Sequence, residues 1–480
     1  MPAFCYADLH CHPNLKTFGH SFDRRKNGKS DIWHTVPSSF YARKVLQFTG
    51  ITKFSQTDLA TMSKAKAKIA FVSLYPFEKG FFTHKNIWPA LAAFLADWGI
   101  EIGYERVRHI QQHTNYFTDL LREYEFLLDC ERQRQVDGQV YRWALTSNWS
   151  EVEALVAKEN TMAVILTIEG AHVFNTGLGA YGVPPIEAEV LANIETVKKW
   201  DYVPLFIGLA HNFNNDLCGH ARSLQRLGKL VNQSYNLDTG ISPLGYSVIQ
   251  ALLNETNGAR IYVDIKHMSI AARLQYYHLL QTEYASKDIP IIMSHGAVTG
   301  CTLSGAKRHS AYLDLFNTND INVFDEEIVA IARSGGLLAI QMDRTINADV
   351  QKVKAHFKSN RLQSTIQQSA AIIWNQLQHV AQVCDNEGLF AWGSTAIGSD
   401  FDGSISPFPG ITTATGLEAL ANELIPFAHQ FLASNTLSLP QNKNIAPEEI
   451  ADRFLYTNIV HFLQKFYIRQ PLKQYQHSLL

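Results

Sequence analysis

Residues 161–170 read TMAVILTIEG, a nearly unbroken apolar run that closes on the carboxylate of Glu169. A strand with one wet face would alternate polar and apolar residues, whereas a parallel strand covered on both faces reads as continuous β-branched and aliphatic side chains. A carboxylate at the end of such a strand is costly to desolvate and needs a partner. The glycine behind it marks a turn. The stretch therefore reads as a buried strand that delivers a charged group to its C-terminal end.

The pattern recurs along the chain. Runs from Phe4 (FCYADLH), Lys68 (KIAFVSLY), Tyr202 (YVPLFIGLAH), Ala259 (ARIYVDIKHM), Ile289 (IPIIMSHG), Gly336 (GLLAIQMD) and Ser394 (STAIGSDFDG) bring the total to eight strands. Between them lie segments with helical spacing, such as EEIVAIARSG from Glu326 and QSTIQQSAAIIWNQLQHVAQVC from Gln363. The stretch PEEIADRFLYTNIVHFLQKF, from Pro447 to Phe466, reads as closing amphipathic helices. Strand and helix in alternation, eight times over, predict an α/β fold of the (β/α)8 TIM-barrel type. We expect one domain over residues 1–480, with long βα-loop insertions at about 13–67, 76–160 and 212–258. Aromatic residues in and before the second insertion (Tyr75, Phe77, Phe81, Phe82, Trp88, Phe94, Trp98, Tyr104) are expected to form its core.

The composition excludes several classes of function. With 480 residues, 46% hydrophobic and 18% charged, the chain can bury a large core. Its 42 basic and 44 acidic residues leave no net positive charge for binding nucleic acid. Lys64, Lys66 and Lys68 read as a solvated face. The six cysteines show no CxxC spacing, so reduced thiols are expected. Neither end carries a secretion or anchoring pattern and no apolar span reaches membrane length, which predicts a cytoplasmic protein without a membrane partner.

Strand ends converge on the mouth of a parallel barrel, so residues far apart in sequence can share a site there. The metal-type ligands at these ends are His10, His12, Glu169, His267, His295 and Asp400. His10 and His12 stand two apart on a strand and point to one side, so they can hold one ion together, though such a pair can also be a polar edge. Glu169 has two oxygens and can bridge two cations; a helix-capping acid is the alternative. His267 and His295 lie one strand–helix–strand repeat apart, at adjacent strand ends, where they can share a second ion or serve as structural histidines. By strand alternation Asp264 and Lys266 should face the helix layer. Asp400 can act as ligand and proton shuttle, while Asp402 reads as a capping residue in the loop. His211 reads as a donor to a developing oxyanion or as a structural hydrogen-bonding group.

The motifs TIEGAH, GLAHNFNND, VDIKHMS, PIIMSHGAV and IGSDFDG, in that order, resemble the membrane dipeptidase (renal dipeptidase) family of the amidohydrolase superfamily. The similarity covers most of the chain after Thr161. It implies that Glu169 bridges the metals, that His267 and His295 hold the second one, that His211 contacts substrate and that Asp400 is the acid/base. It also implies that Arg308, in GAKRHS, holds the substrate carboxylate, with His309 where the family has Asn. Two divalent metal ions, with zinc as the expected metal, follow from the same resemblance, as does a homodimer. The first strand departs from the family, whose His-x-Asp is replaced by His10-x-His12. A neutral ligand in place of an anion leaves the site about one charge more positive and lowers the pKa of metal-held water.

The expected function is therefore a metal-dependent hydrolase in which hydroxide between two ions attacks the amide bond of a small dipeptide-like substrate. Asp400 would carry the proton, His211 would steady the oxyanion and Arg308 would orient a carboxylate. A lactonase, deaminase or non-peptide amidase of the superfamily is the alternative. A barrel that has lost its chemistry and only binds is a third.

Overall fold

In the computed structural model, residues 4–23, 28–49, 51–83, 87–224, 231–306, 315–359 and 362–468 are described. Their strands are β1 (Tyr6–Cys11), β2 (Ala67–Leu74), β3 (Gln133–Val136), β4 (Gln139–Leu145), β5 (Thr161–Ile168), β6 (Phe206–Gly208), β7 (Tyr262–Asp264), β8 (Ile292–Gly296), β9 (Leu337–Ile340) and β10 (Thr395–Ile397). All eight apolar runs become strands, and they pair in parallel in the order β1-β2-β5-β6-β7-β8-β9-β10. The circle is completed where Asp400 N donates to His10 O at 2.9 Å and His12 N to Phe401 O at 3.0 Å. The result is a (β/α)8 barrel.

Every residue of β5 is buried, as its uninterrupted apolar sequence requires. The helices cover the outside by the same logic. In Thr365–Asn386, the Ser364 hydroxyl accepts from Gln367 N at 3.2 Å and the Gln367 side chain accepts from Ser364 N at 3.1 Å, a reciprocal cap that starts the helix at this point. Its apolar stripe, including Ile373, Leu377 and Val380, is then turned onto the barrel.

The insertions build the rim. Residues 13–67 carry the helices Leu15–His20, Phe40–Thr49 and Leu59–Lys64. They are latched to the end of the last barrel strand by Asp402, which pairs with Lys16 and accepts from Gln56 N at 3.0 Å and Thr57 N at 2.9 Å. Asp402 thus holds a loop, as its sequence position suggested. The second insertion contributes the helices Pro89–Ile100, Tyr104–Gln112 and Tyr116–Asp129 and the antiparallel hairpin β3–β4, whose second strand runs alongside the first half of β5. Its aromatic residues divide. Tyr75, Phe77 and Phe82 join Leu15, Ile102, Val107 and Ile110 in a small separate core, whereas Trp88 is 83% exposed and Phe94 58%. The expectation of a wholly buried aromatic set fails because Pro89–Ile100, which Trp88 caps, is apolar on more than one side apart from Asp97, and only one side of a helix can meet that core. In the third insertion the helix Pro243–Leu253 is the main regular element among the described residues.

Two consequences can be measured. A Cβ added at Gly336 would meet the backbone oxygen of Ile291 at 1.9 Å, a contact that cannot relax by side-chain rotation. Gly336→Ala is expected to lower stability to urea by about 2 kcal/mol. The two insertions are joined by Glu101, which pairs with Lys29 at 2.7 Å and Lys53 at 2.8 Å. Partial burial raises the Glu101 carboxyl, but the two ammonium groups outweigh it and hold it down at about 2. A depressed carboxyl stabilises above its ordinary value and loses that contribution as the pH falls toward the folded one. Glu101→Gln should cost about 1 kcal/mol at neutral pH, and the gap from wild type in urea unfolding should narrow below pH ~4.5.

Candidate metal centre

The C-terminal ends of the barrel strands bring the six metal-type residues into one buried cup. His10, His12, Glu169 and Asp400 offer donor atoms within 4.8 Å of one another, and Glu169, His267 and His295 form a second such group. Glu169 belongs to both. Its Oε1 lies 3.5 Å from His10 Nε2, 3.6 Å from His267 Nε2 and 3.5 Å from His295 Nε2, while Oε2 lies 3.1 Å from His12 Nε2. His10 Nε2 and His12 Nε2 are 3.1 Å apart.

These spacings suit a cation. Two donors on one tetrahedral zinc, with bonds of about 2.0–2.1 Å, stand about 3.3 Å apart. The observed gaps bracket that value. The buried His267 Nε2 finds no hydrogen bond among the described residues although it faces the cup, as a ligand nitrogen would. Imidazole and carboxylate together are a donor set for zinc and its neighbours in the transition series.

The electrostatics point the same way. Burial raises the Glu169 carboxyl, yet His211, His10 and His12 outweigh it and hold it well below the usual carboxylate range. Burial disfavours a charged His12, but Glu169 and Asp400 push it up to about 10. His267 is driven down to about 3 by burial, aided by His211 and Lys266, and His295 lies well below its ordinary value for the same first reason. His267 and His295 are thus held in the uncharged form that a metal ligand requires.

Backbone geometry aims the ligands. His267 (φ 68°) and Asp400 (φ 56°) occupy the left-handed region, which costs a residue with a Cβ about 1–3 kcal/mol. Gly170 is also left-handed, at φ 93°, and a Cβ there would strike His172 Nδ1 at 2.4 Å. The turn after Glu169 therefore admits only glycine without rearrangement. Asp400 Oδ1 faces His12 Nε2 at 3.5 Å, and its Oδ2 accepts from Gln341 Nε2 at 2.6 Å. Burial, with the negative charge of Glu169 beside it, raises the Asp400 carboxyl.

His211 also reaches the cup, its Nε2 lying 3.3 Å from Glu169 Oε1. Its other nitrogen meets Glu78 Oε2 at 2.6 Å, so a histidine with no acid near it in sequence has one in space. Burial disfavours the charged ring, but Glu78 and Glu169 prevail and push it up to about 10. Arg308 lies outside the described residues.

Two expectations need correction. Asp264 does not turn to the helices; its Oδ1 accepts from Ser294 N at 3.0 Å, at the end of the next strand. Lys266 is buried among carboxylates that include Asp400, Asp264 and Glu169, and burial lowers its ammonium to about 8. Strand alternation fails here because β7 ends at Asp264, and the chain beyond it bends through the left-handed His267. Glu78 and Gln341 were not singled out from the sequence. Gln341 directly follows β9, and a polar residue at a strand end was a usable signal. Glu78, four residues past β2, gave none.

Residues 33–430 match the family described as Membrane dipeptidase (Peptidase family M19). The match begins after β1, so His10 and His12 fall outside it. No curated protein matches the sequence. Among solved structures, a metallopeptidase of family M19 described as dipeptidase AC aligns over 97% of this chain and 99% of its own, with a TM-score of 0.53 and 14% identity. A metallopeptidase from Rhodobacter sphaeroides, liganded with a phosphinate mimic of the dipeptide L-Ala-D-Ala, aligns over 97% of this chain and 100% of its own, with a TM-score of 0.51 and 14% identity. At that identity the likeness bears on the fold, whereas the sequence match spans most of the chain. The protein thus belongs to the membrane dipeptidase family and is a metal-dependent hydrolase of small dipeptide-like substrates.

Proposed function

We propose a binuclear zinc dipeptidase in which Glu169 is shared by the two metal positions. The observation that supports this reading is the single carboxylate shared by both donor groups, whose Oε2 faces His12 and whose Oε1 faces His10, His267 and His295. His10 and His12 would hold one cation, His267 and His295 the other. When bound, the pair of cations supplies a water of lowered pKa and polarises the scissile carbonyl. Asp400, anchored through its far oxygen by Gln341, would accept a proton on its other oxygen during attack on the amide and return it to the leaving amine. His211 presents Nε2 to the developing oxyanion. Arg308 holds the terminal carboxylate of the substrate.

We read the chain as a single catalytic unit working in the cytoplasm as a homodimer. No helix among the described residues is long and apolar enough to cross a membrane. The thiols of Cys11, Cys218 and Cys384 are buried and outside any disulfide, which supports a reducing compartment. A second reaction within the superfamily, lactone or cyclic-amide hydrolysis, is favoured by the long insertions and by the imidazole of His12 at a position where the resemblance implies a carboxylate.

Metal analysis of the purified protein should find close to two zinc ions per chain. Chelation should abolish activity and added zinc restore it. Glu169→Ala should lose both turnover and the second ion. Dipeptides with L or D C-terminal residues should be hydrolysed, and lactones ignored. A protein that binds no metal, or that turns over lactones while ignoring every dipeptide, contradicts the proposal.

A further inference from the structure

After β2 the chain turns through Pro76 and Phe77 to Glu78, a carboxylate 4% exposed. The carboxylate of Glu78 meets His211 and residues beside it. Its Oε2 lies 2.6 Å from His211 Nδ1 and accepts from the Tyr75 hydroxyl at 2.9 Å. Its Oε1 accepts from the backbone N–H groups of Asn212 and Phe213, both at 3.2 Å. Acid and imidazole are thus tied twice, once ring to carboxylate and once through the backbone that follows the ring. The Tyr75 ring packs edge-on against His211, with centroids 4.7 Å apart, and limits its rotation.

We propose that Glu78 is the positioning residue of His211, committing Nδ1 to a fixed acceptor so that Nε2 is the nitrogen turned to the reacting carbonyl. A carboxylate on the far nitrogen of a functional imidazole fixes its orientation, because the two ring nitrogens cannot then exchange places. The Asn212 amide also stands beside the ring, its Nδ2 lying 3.1 Å from His211 Nδ1 and 2.9 Å from Nε2, and Glu78 in turn holds the Asn212 backbone. The proposal rests on the reading of His211 as the group that meets the oxyanion.

Glu78 has a second neighbour that makes the idea testable. It lines a cavity of about 1100 Å³ whose walls include Phe82, Tyr116 and Phe213. Removal of the side chain therefore opens a gap that a small carboxylate can enter from solvent.

The experiment compares Glu78→Gln, Glu78→Ala, His211→Ala and the double variant Glu78→Ala/His211→Ala, each as full-length metal-loaded enzyme on one dipeptide. Loss of an outer carboxylate partner lowers activity about 10- to 100-fold, and here the loss should fall on kcat, with KM and metal content held. Formate should raise the kcat of Glu78→Ala and leave wild type and His211→Ala unimproved. In the His211→Ala background, Glu78→Ala should add less than about twofold, since its effect passes through the ring. An equal loss in both backgrounds, an undiminished kcat in Glu78→Gln, or a folded Glu78→Ala that formate does not improve overturns the proposal. If the alanine variant does not fold, the isosteric glutamine variant decides. His211→Ala should lose about 100- to 1,000-fold in kcat. Full activity in His211→Ala would instead remove the underlying reading, and the dependence on Glu78 with it.

Discussion

A carboxylate at the end of a fully buried strand has to be met by charged or polar partners, and that requirement at Glu169 organises the mouth of the barrel. β5 carries only buried residues up to Ile168, and the next residue is an acid. Charge of that kind in a low-dielectric setting is tolerated only with partners. The partners come from five other points of the chain, His10, His12, His211, His267 and His295, each delivered at or just beyond a strand end. A parallel barrel is the architecture in which such distant segments can meet, because all its strands point their C-terminal ends at one opening.

The surrounding structure maintains that cup at some cost. Two ligands, His267 and Asp400, sit in left-handed backbone, a conformation that persists only where the neighbours determine it. For Asp400 those neighbours are visible. Its N–H donates to His10 O, its carboxylate is tied to Gln341, and two residues later Asp402 is clamped by Lys16, Gln56 and Thr57 of the first insertion. That insertion therefore does more than decorate the rim. It holds the last strand end in the strained path that points Asp400 inward.

The legible part of the protein was whatever one strand could announce alone. Apolar runs gave the eight barrel strands, and the histidines and acids at the ends of five of them gave the six metal-type residues, because burial on both faces leaves its mark in local sequence. What depends on two segments was silent. The Glu78–His211 contact joins residues 133 positions apart and leaves no periodicity behind it. Lys266 was misplaced because alternation was extended one turn past the end of β7. Trp88 and Phe94 were expected in the core of the second insertion, but Trp88 caps the helix Pro89–Ile100 from outside and Phe94 sits on the side of it that faces solvent.

The pair His10 and His12 raises the remaining question of charge. Among the two donor groups only Glu169 and Asp400 are anionic, so a pair of divalent cations would be left only half neutralised by its own ligands. Excess positive charge at a metal pair acidifies the water it holds and strengthens its pull on a carbonyl oxygen, but it also favours tight retention of anionic products. The buried acids nearby temper this. Asp8 is hydrogen-bonded to Ser399 behind His10, Asp264 to Ser294 behind His295, and Glu78 stands behind His211. Burial raises the carboxyls of Asp8, to about 6, and of Asp264, whereas Glu78, its burial outweighed by His211 and His172, is held down at about 2 and is the acid that adds a firm negative charge beside the donor groups.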